Sequence, residues 1–465
     1  MGFFLSVLYF VTDYLTPPVL FGQLAQYRVE LILAALILPL TVPKLIRSYL
    51  LRTPQALALA GLTVAGFLSI LSAEHWLGGA LGVFLGFIPS IYAYFLVGLH
   101  CDSRRKLQIL VLMLLCVCLF VIGNGLSELR SANASMIPTG VQSTDGVEWD
   151  AWTLQHPYLL PMASPDGSLF YRLRGVGLIN DPNDFGQILV CEIPLLFIFW
   201  RPGRLLGNLV WVVLPACVLV YGVYLTHSRG ALVALIAVIL VAARRRIGTL
   251  PAVGIAAGLF AGAMALHFTG GRAISASAGE SRIDLWNGSM EILKAHPVFG
   301  IGLGRLPEFL GQTAHNSILV CAAELGLFGL FCWSLFLFPT LRDALQIASS
   351  ERVHEATDAE VEELPALFRA WKGAALEKSE VERLGYCLLL SLTGFLAAGL
   401  FLSRAFVMTF FLLGGMVETV YETARRRKMI APRMPWSRTF AGSGVIAVSL
   451  IVVVYITLRI LNLSR

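Results

Sequence analysis

Apolar stretches of about twenty residues, the length a helix needs to cross a bilayer, recur along the whole chain and are parted by short polar breaks. They predict spanning helices at about 3–20, 28–46, 54–74, 78–99, 106–124, 176–199, 205–226, 229–243, 248–267, 315–340, 385–402, 405–423 and 440–461. That makes about twelve or thirteen crossings, because the first stretch holds Asp13 and Pro17-Pro18 and can be a half-span. The pattern gives way in three places. Polar loops occupy 125–175 and 268–314, and the segment 341–384 is charged and helix-prone (EATDAEVEELPALFRAWKGAALEKSEVERL), as an amphipathic insertion would be. The expected fold is therefore an all-α polytopic membrane protein. Its parts are N-terminal spans over 1–124, a loop over 125–175, a core over 176–340 that includes the loop 268–314, the insertion 341–384, and C-terminal spans over 385–465.

Composition supports the membrane reading. Of 465 residues, 57% are apolar and 14% charged, and mean hydropathy is +0.75; soluble domains carry roughly a quarter charged residues. The opening MGFFLSVLYF has no basic n-region and no A-x-A-like site after it, so the first apolar run is expected to be retained.

The net charge of +6 matters less than its placement. Lys44, Arg47 and Arg52, then Arg104, Arg105 and Lys106, then Arg201 and Arg204, then Arg244 to Arg246, then Arg425 to Lys428 fill loops on one side if the N-terminus is cytoplasmic. The insertion 341–384 lands there too. The cations form no stripe for nucleic acid, and no such partner is expected. Eight cysteines lie mostly in apolar runs without a C-x-x-C pair, so neither a zinc site nor a disulfide framework is indicated. The chain also has no P-loop, no HExxH and no G-x-S-x-G elbow. No D-x-D pair stands on the opposite, trans face, so phosphate chemistry there would rest on arginines, and no cofactor is expected. The two halves do not mirror each other, which argues against an inverted-repeat transporter.

Cations on the trans face need a reason, and an anionic substrate is one. Four stretches carry them. YRLRGVGLINDPNDFG (Tyr171–Gly186) places Arg172 and Arg174 at a span mouth, where Asp181-Pro182-Asn183 can cap a helix whose N-terminus supplies further anion donors. The bland reading is snorkelling arginines and an ordinary cap. LTHSRGAL puts Arg229 at membrane depth in a short turn, with Thr226 and Ser228 as extra donors; it is otherwise a plain hairpin. SRIDLWNGSMEILKAHPVFGIGLG has helical spacing over 282–294, with Arg282 and Trp286 on one face, followed by a Gly-rich corner. That helix either holds phosphate through Arg282 or simply lies on the membrane with Trp286 as its interfacial residue. AHNSILVCAAELGLFGL opens a long apolar helix with His315 and Asn316; imidazole titrates near neutrality and can take a hydroxyl proton. Glu324, deeper in that helix, either balances an arginine or makes a packing or helix–helix polar contact.

In this order, RLRGVGLINDPNDFG, SRGAL, RIDLW…HPVFGIGLG and AHNSIL…AELGLFGL resemble the O-antigen ligase and Wzy-type O-antigen polymerase family of bacterial envelope glycosyltransferases, over roughly residues 170–335. The resemblance implies a glycosyltransferase type C-like fold in the bacterial inner membrane, with the active site facing the periplasm. It also implies an undecaprenyl-diphosphate-linked glycan as donor and a lipid- or glycan-linked acceptor within membrane lipid. By it, Arg229 and Arg282 hold the donor's diphosphate, Arg174 or Arg172 adds a third guanidinium, and His315 is the base. Asn183, Ser228 and Asn316 stand beside them as substrate-binding candidates. The expected reaction is inverting, metal-independent transfer to a lipid A core sugar. The alternatives are polymerisation of lipid-linked repeat units and, from another class, a lipid-linked glycan flippase.

Overall fold

The computed structural model describes residues 1–24, 27, 29–134, 156–163, 169–265, 268, 276–349 and 378–463. A helix stands at each of the thirteen predicted spans. Among the described residues, nine helices are long and apolar enough to cross a membrane, as a multi-pass membrane protein requires. The others depart for visible reasons. Gly2–Leu15 has 14 residues, about 21 Å of helix, and stops where Thr16 turns left-handed (φ 41°) ahead of Pro17-Pro18. At that length it falls short of the candidate spans, and it ends at the prolines. Thr249–Ala265 has 17 residues. Arg229–Ile247 and Met408–Arg426 have 19 each but carry charges: Arg229 and Arg244 to Arg246 in the first, Glu418, Glu422, Arg425 and Arg426 in the second.

The expected loop 125–175 is not wholly a loop. The helix Arg104–Ala134 continues ten residues beyond 124 through helix-favouring SELRSANA. The far end of the segment is a hairpin, Leu159–Ala163 paired antiparallel with Leu169–Leu173, with Leu160 opposite Arg172. This two-stranded sheet is the one β element among the described residues. The span expected at 176–199 begins instead at Pro182, because Asp181 caps it by accepting from the Asn183 N–H at 2.7 Å and Pro182 takes the first helical position. Most of the insertion 341–384, with Arg272 of the loop 268–314, lies outside the described residues.

The chain divides into two compact units. The first comprises Met1–Leu38, Gln108–Ala273 and Thr393–Ala398. In it the Pro182–Leu195 helix packs against the Leu214–Thr226 and Arg229–Ile247 helices. Gly186 makes that approach possible, since a side-chain carbon there would stand 2.7 Å from Ala231 Cβ. In lipid, where apolar burial does not drive helices together, such close packing is what holds them.

The second unit comprises Pro39–Leu107, Ile274–Leu392 and Gly399–Arg465. Its centre is the long helix Ser317–Ala348, which packs on Pro54–Glu74 and Trp436–Leu463. Phe336 of that helix meets Tyr94, Phe410 and Phe411 edge-on, with ring centroids 4.9–5.8 Å apart. The helix is broken at Gly326 (φ 66°, ψ −167°). A break frees backbone groups that lipid cannot satisfy, and the loop Pro297–Gly304 takes them. Ile301 and Gly302 donate to the Ala323 and Glu324 carbonyls at 3.1 Å each, while Leu327 and Phe328 donate to Pro297 and Val298 at 2.8 and 3.3 Å. Glu324, buried, closes the joint: its carboxylate accepts from the Gly304 N–H at 2.9 Å and the Leu306 N–H at 3.3 Å. The two glycine motifs of the sequence, GIGLG and AELG, are thus one backbone-to-backbone joint.

Candidate active site

In the first unit, the candidate residues Arg172, Asn183 and Ser228 come together. Arg172 is only 4% exposed. Its Nε donates to the Thr226 carbonyl at 2.8 Å and its guanidinium to Asn183 Oδ1 at 2.9 Å. The same oxygen accepts from Ser228 Oγ at 2.8 Å. Ser228 in turn is the N-cap of the next helix, accepting from the Ala231 N–H at 3.2 Å, and its own N–H donates to Thr226 Oγ1. One strand, one helix start and one hairpin turn are tied by this network, and Arg229 is the first helical residue after it. Arg229 is half-buried. Before it, His227 sits in a left-handed conformation (φ 46°), its Nδ1 3.0 Å from the Phe268 carbonyl and its ring edge-on to Phe170 and Tyr224. These contacts seat His227 as a turn residue.

Arg174 is placed differently. It is half-buried, and its Nε donates to the Pro157 carbonyl at 3.1 Å. Burial pulls its guanidinium below its ordinary pKa, against the opposing pull of Glu128 and Asp181, and it stays charged. The two arginines that the sequence could not rank therefore differ in kind: Arg172 is built into the turn, and Arg174 is the more accessible. Arg172→Ala is expected to lower thermal stability by about 1–3 kcal/mol, because the buried Thr226 carbonyl loses its donor and Asn183 one of two. Arg174→Ala should cost far less; equal melting temperatures for the two variants would contradict the assignment.

In the second unit, Arg282 lies exposed on the helix Ala276–Ala295. One turn along, Trp286 donates its indole N–H to the Ala314 carbonyl at 2.9 Å. Ala314 immediately precedes His315, so the tryptophan beside Arg282 fastens the turn that carries the histidine. That turn is held from two more directions. His315, half-buried and left-handed (φ 49°), donates its N–H to Ser403 Oγ at 2.9 Å. Asn316 caps the long helix, its Oδ1 accepting from Ile318 and Leu319 at 3.0 and 3.2 Å and its Nδ2 donating to the Leu400 carbonyl. Ser317 Oγ donates to the Leu402 carbonyl and accepts from the Arg404 N–H. The backbone at His315 is over-determined, as a left-handed non-glycine residue requires.

Sequence reasoning gave no role to Ser403 and saw Trp286 only as a membrane-interface residue. A signal for Ser403 was present: Ser403-Arg404 repeats, on a second short turn, the dipeptide Ser228-Arg229.

Residues 212–334 match the family model for O-antigen ligase. The chain carries an O-antigen ligase family domain. The matched segment holds Arg229, Arg282 and His315, together with the Gly326 joint; Arg172, Arg174 and Asn183 precede it. A comparison with curated proteins finds no match. A ligase-family domain in a polytopic helical chain supports a membrane glycosyltransferase-like function of the O-antigen ligase or polymerase type. Within the domain, the Ser228 cap seats Arg229, and Trp286 and Asn316 seat His315, which Ser403 holds from outside the matched segment.

Proposed function

We propose that the protein transfers a glycan from undecaprenyl diphosphate to a sugar hydroxyl of lipid A core at the periplasmic face of the inner membrane, with inversion and without a metal ion. The observation that supports this most is the ligase-family match over 212–334, which takes in both arginines and the histidine. Arg229 and Arg282 bind the diphosphate, which guanidinium groups can hold bidentately. His315 accepts the proton of the acceptor hydroxyl. The hydroxyl oxygen bonds to the anomeric carbon from the face opposite the leaving group, and the bond from that carbon to the phosphate oxygen breaks. Undecaprenyl diphosphate departs with the electron pair, its growing charge neutralised by the two guanidiniums. Arg174 is a further cation for the donor. Asn183, Ser228 and Asn316 act by holding Arg229 and His315 in position rather than by touching substrate.

Purified protein given lipid-linked glycan and lipid A core, with EDTA and no nucleotide sugar, should yield glycan-bearing core. Arg229→Ala and Arg282→Ala should each lower the rate by about 10²–10³-fold, with lysine restoring only part of it. Lengthening of the donor with no transfer to core would replace this reading by the polymerase. No transfer to any acceptor would sink both and favour a flippase.

A further inference from the structure

The first unit contains a half-open cavity of about 390 Å³ lined by Gln108, Leu112, Phe199, Arg201, Arg204 and Trp211, with Gly207 and Asn208 between the last two. It lies at the start of the spanning helix Leu205–Thr226, whose other end is the Thr226–Ser228 turn. With 22 residues in that helix, about 33 Å separates its ends, so the cavity is at the opposite membrane face from Arg229.

The cavity is built for an anion. Two arginines line it and no acidic residue does. Among the described residues, neither Arg201 nor Arg204 has a side-chain hydrogen bond or ion pair. Their positions are nevertheless fixed. Buried Asn208 accepts from the Arg201 N–H and donates to the Arg201 carbonyl, both at 2.8 Å, which closes the Arg201–Arg204 turn.

The surroundings suit a lipid more than a soluble anion. Leu205 and Leu206, directly after Arg204, are 84% and 78% exposed and offer apolar surface at the level of the cations. Trp211 lies in a π-helical turn, Leu209–Val213, with its ring 6.1 Å from that of Phe199. Such turns are rare and concentrate at functional sites, and tryptophan favours the membrane–water boundary. Topology alone calls for cations in this loop but not for a half-open cavity lined by an indole. Arg244 to Arg246, on the exposed last turn of their helix, meet the topological need without one.

We propose that this cavity binds the phosphate headgroup of an anionic phospholipid, with Arg201 and Arg204 on the phosphate and Leu205, Leu206 and Trp211 along the upper acyl chain. Anionic lipid enriches the cytoplasmic leaflet, the side to which the charge pattern assigns this end.

Native mass spectrometry of the full chain released from detergent, titrated with phosphatidylglycerol, phosphatidylcholine or inorganic phosphate, tests the proposal. The wild type should retain phosphatidylglycerol well above phosphatidylcholine. Arg201→Gln with Arg204→Gln should weaken phosphatidylglycerol retention on the order of thirtyfold, while Arg244→Gln with Arg246→Gln, the same loss of charge elsewhere, should leave it unchanged. Equal retention of the two lipids by the wild type, or equal weakening in the control pair, overturns the site. Saturation by inorganic phosphate at the concentration that saturates with lipid overturns the lipid assignment.

Discussion

His315→Ala is expected to lower glycan transfer by a factor of about 10²–10⁴, the usual contribution of a positioned general base, while the protein still binds the lipid-linked donor. The separation follows from where the residue sits. The turn at position 315 is held through backbone and a neighbouring cap: the His315 N–H to Ser403, the Ala314 carbonyl to Trp286, and Asn316 at the helix start. All three survive loss of the imidazole. Alanine at φ 49° costs about 1–2 kcal/mol of local strain, too little to unfold a bundle. The measurement is single-turnover transfer alongside donor binding by the same preparation. Donor binding lost together with turnover would move His315 to the diphosphate, and unchanged turnover would remove it from the chemistry. An intermediate variant is informative: Ser403→Ala keeps the imidazole but loosens its seat, so its defect should be partial and recovered by threonine.

Gly326→Ala should be the most damaging conservative change in the second unit. Its φ of 66° and ψ of −167° lie where only glycine is at ease. A methyl there would stand 2.3 Å from the Val298 carbonyl oxygen, a backbone atom that cannot swing away. Strain and overlap together are expected to cost about 3 kcal/mol or more, seen as a fall in melting temperature and in folded protein recovered from the membrane. Gly300→Ala should behave alike, since its methyl would stand 2.4 Å from the Glu324 carbonyl. Wild-type melting in Gly326→Ala would mean that the break in the helix is not held by the Pro297–Gly304 loop.

Much of this architecture is legible in the sequence, because a bilayer imposes a length and a polarity that any spanning segment must meet. The helix start at Pro182 is likewise visible in Asp181-Pro182-Asn183, as a local capping signal. The missing features depend on partners far along the chain. Leu159–Ala163 and Leu169–Leu173 are five-residue strands of weak pattern and declare themselves only when paired. Arg172 and Arg174 are two residues apart and alike on paper; what separates them is Thr226, 54 positions away. Glu324 was open between balancing an arginine and a packing or helix–helix polar contact; the structure gives the polar contact, to the backbone N–H groups of Gly304 and of Leu306 at the start of the helix Leu306–Leu310. The candidate site was legible as a set of residue types. The difference between residues built into the fold, such as Arg172, and more accessible ones, such as Arg174, was not, because it lies in hydrogen bonds that close over dozens of positions.

The backbone joint at Gly326 has a mechanical consequence. The loop Pro297–Gly304 leaves the helix of Arg282 and is stitched at both its ends to the helix that follows His315, while Trp286 makes one more stitch at Ala314. Guanidinium and imidazole are therefore carried on a single bracket. A bracket of this kind sets the spacing of their attachment points when the chain folds, so under the proposed reaction substrate of the wrong dimensions has to be refused rather than accommodated.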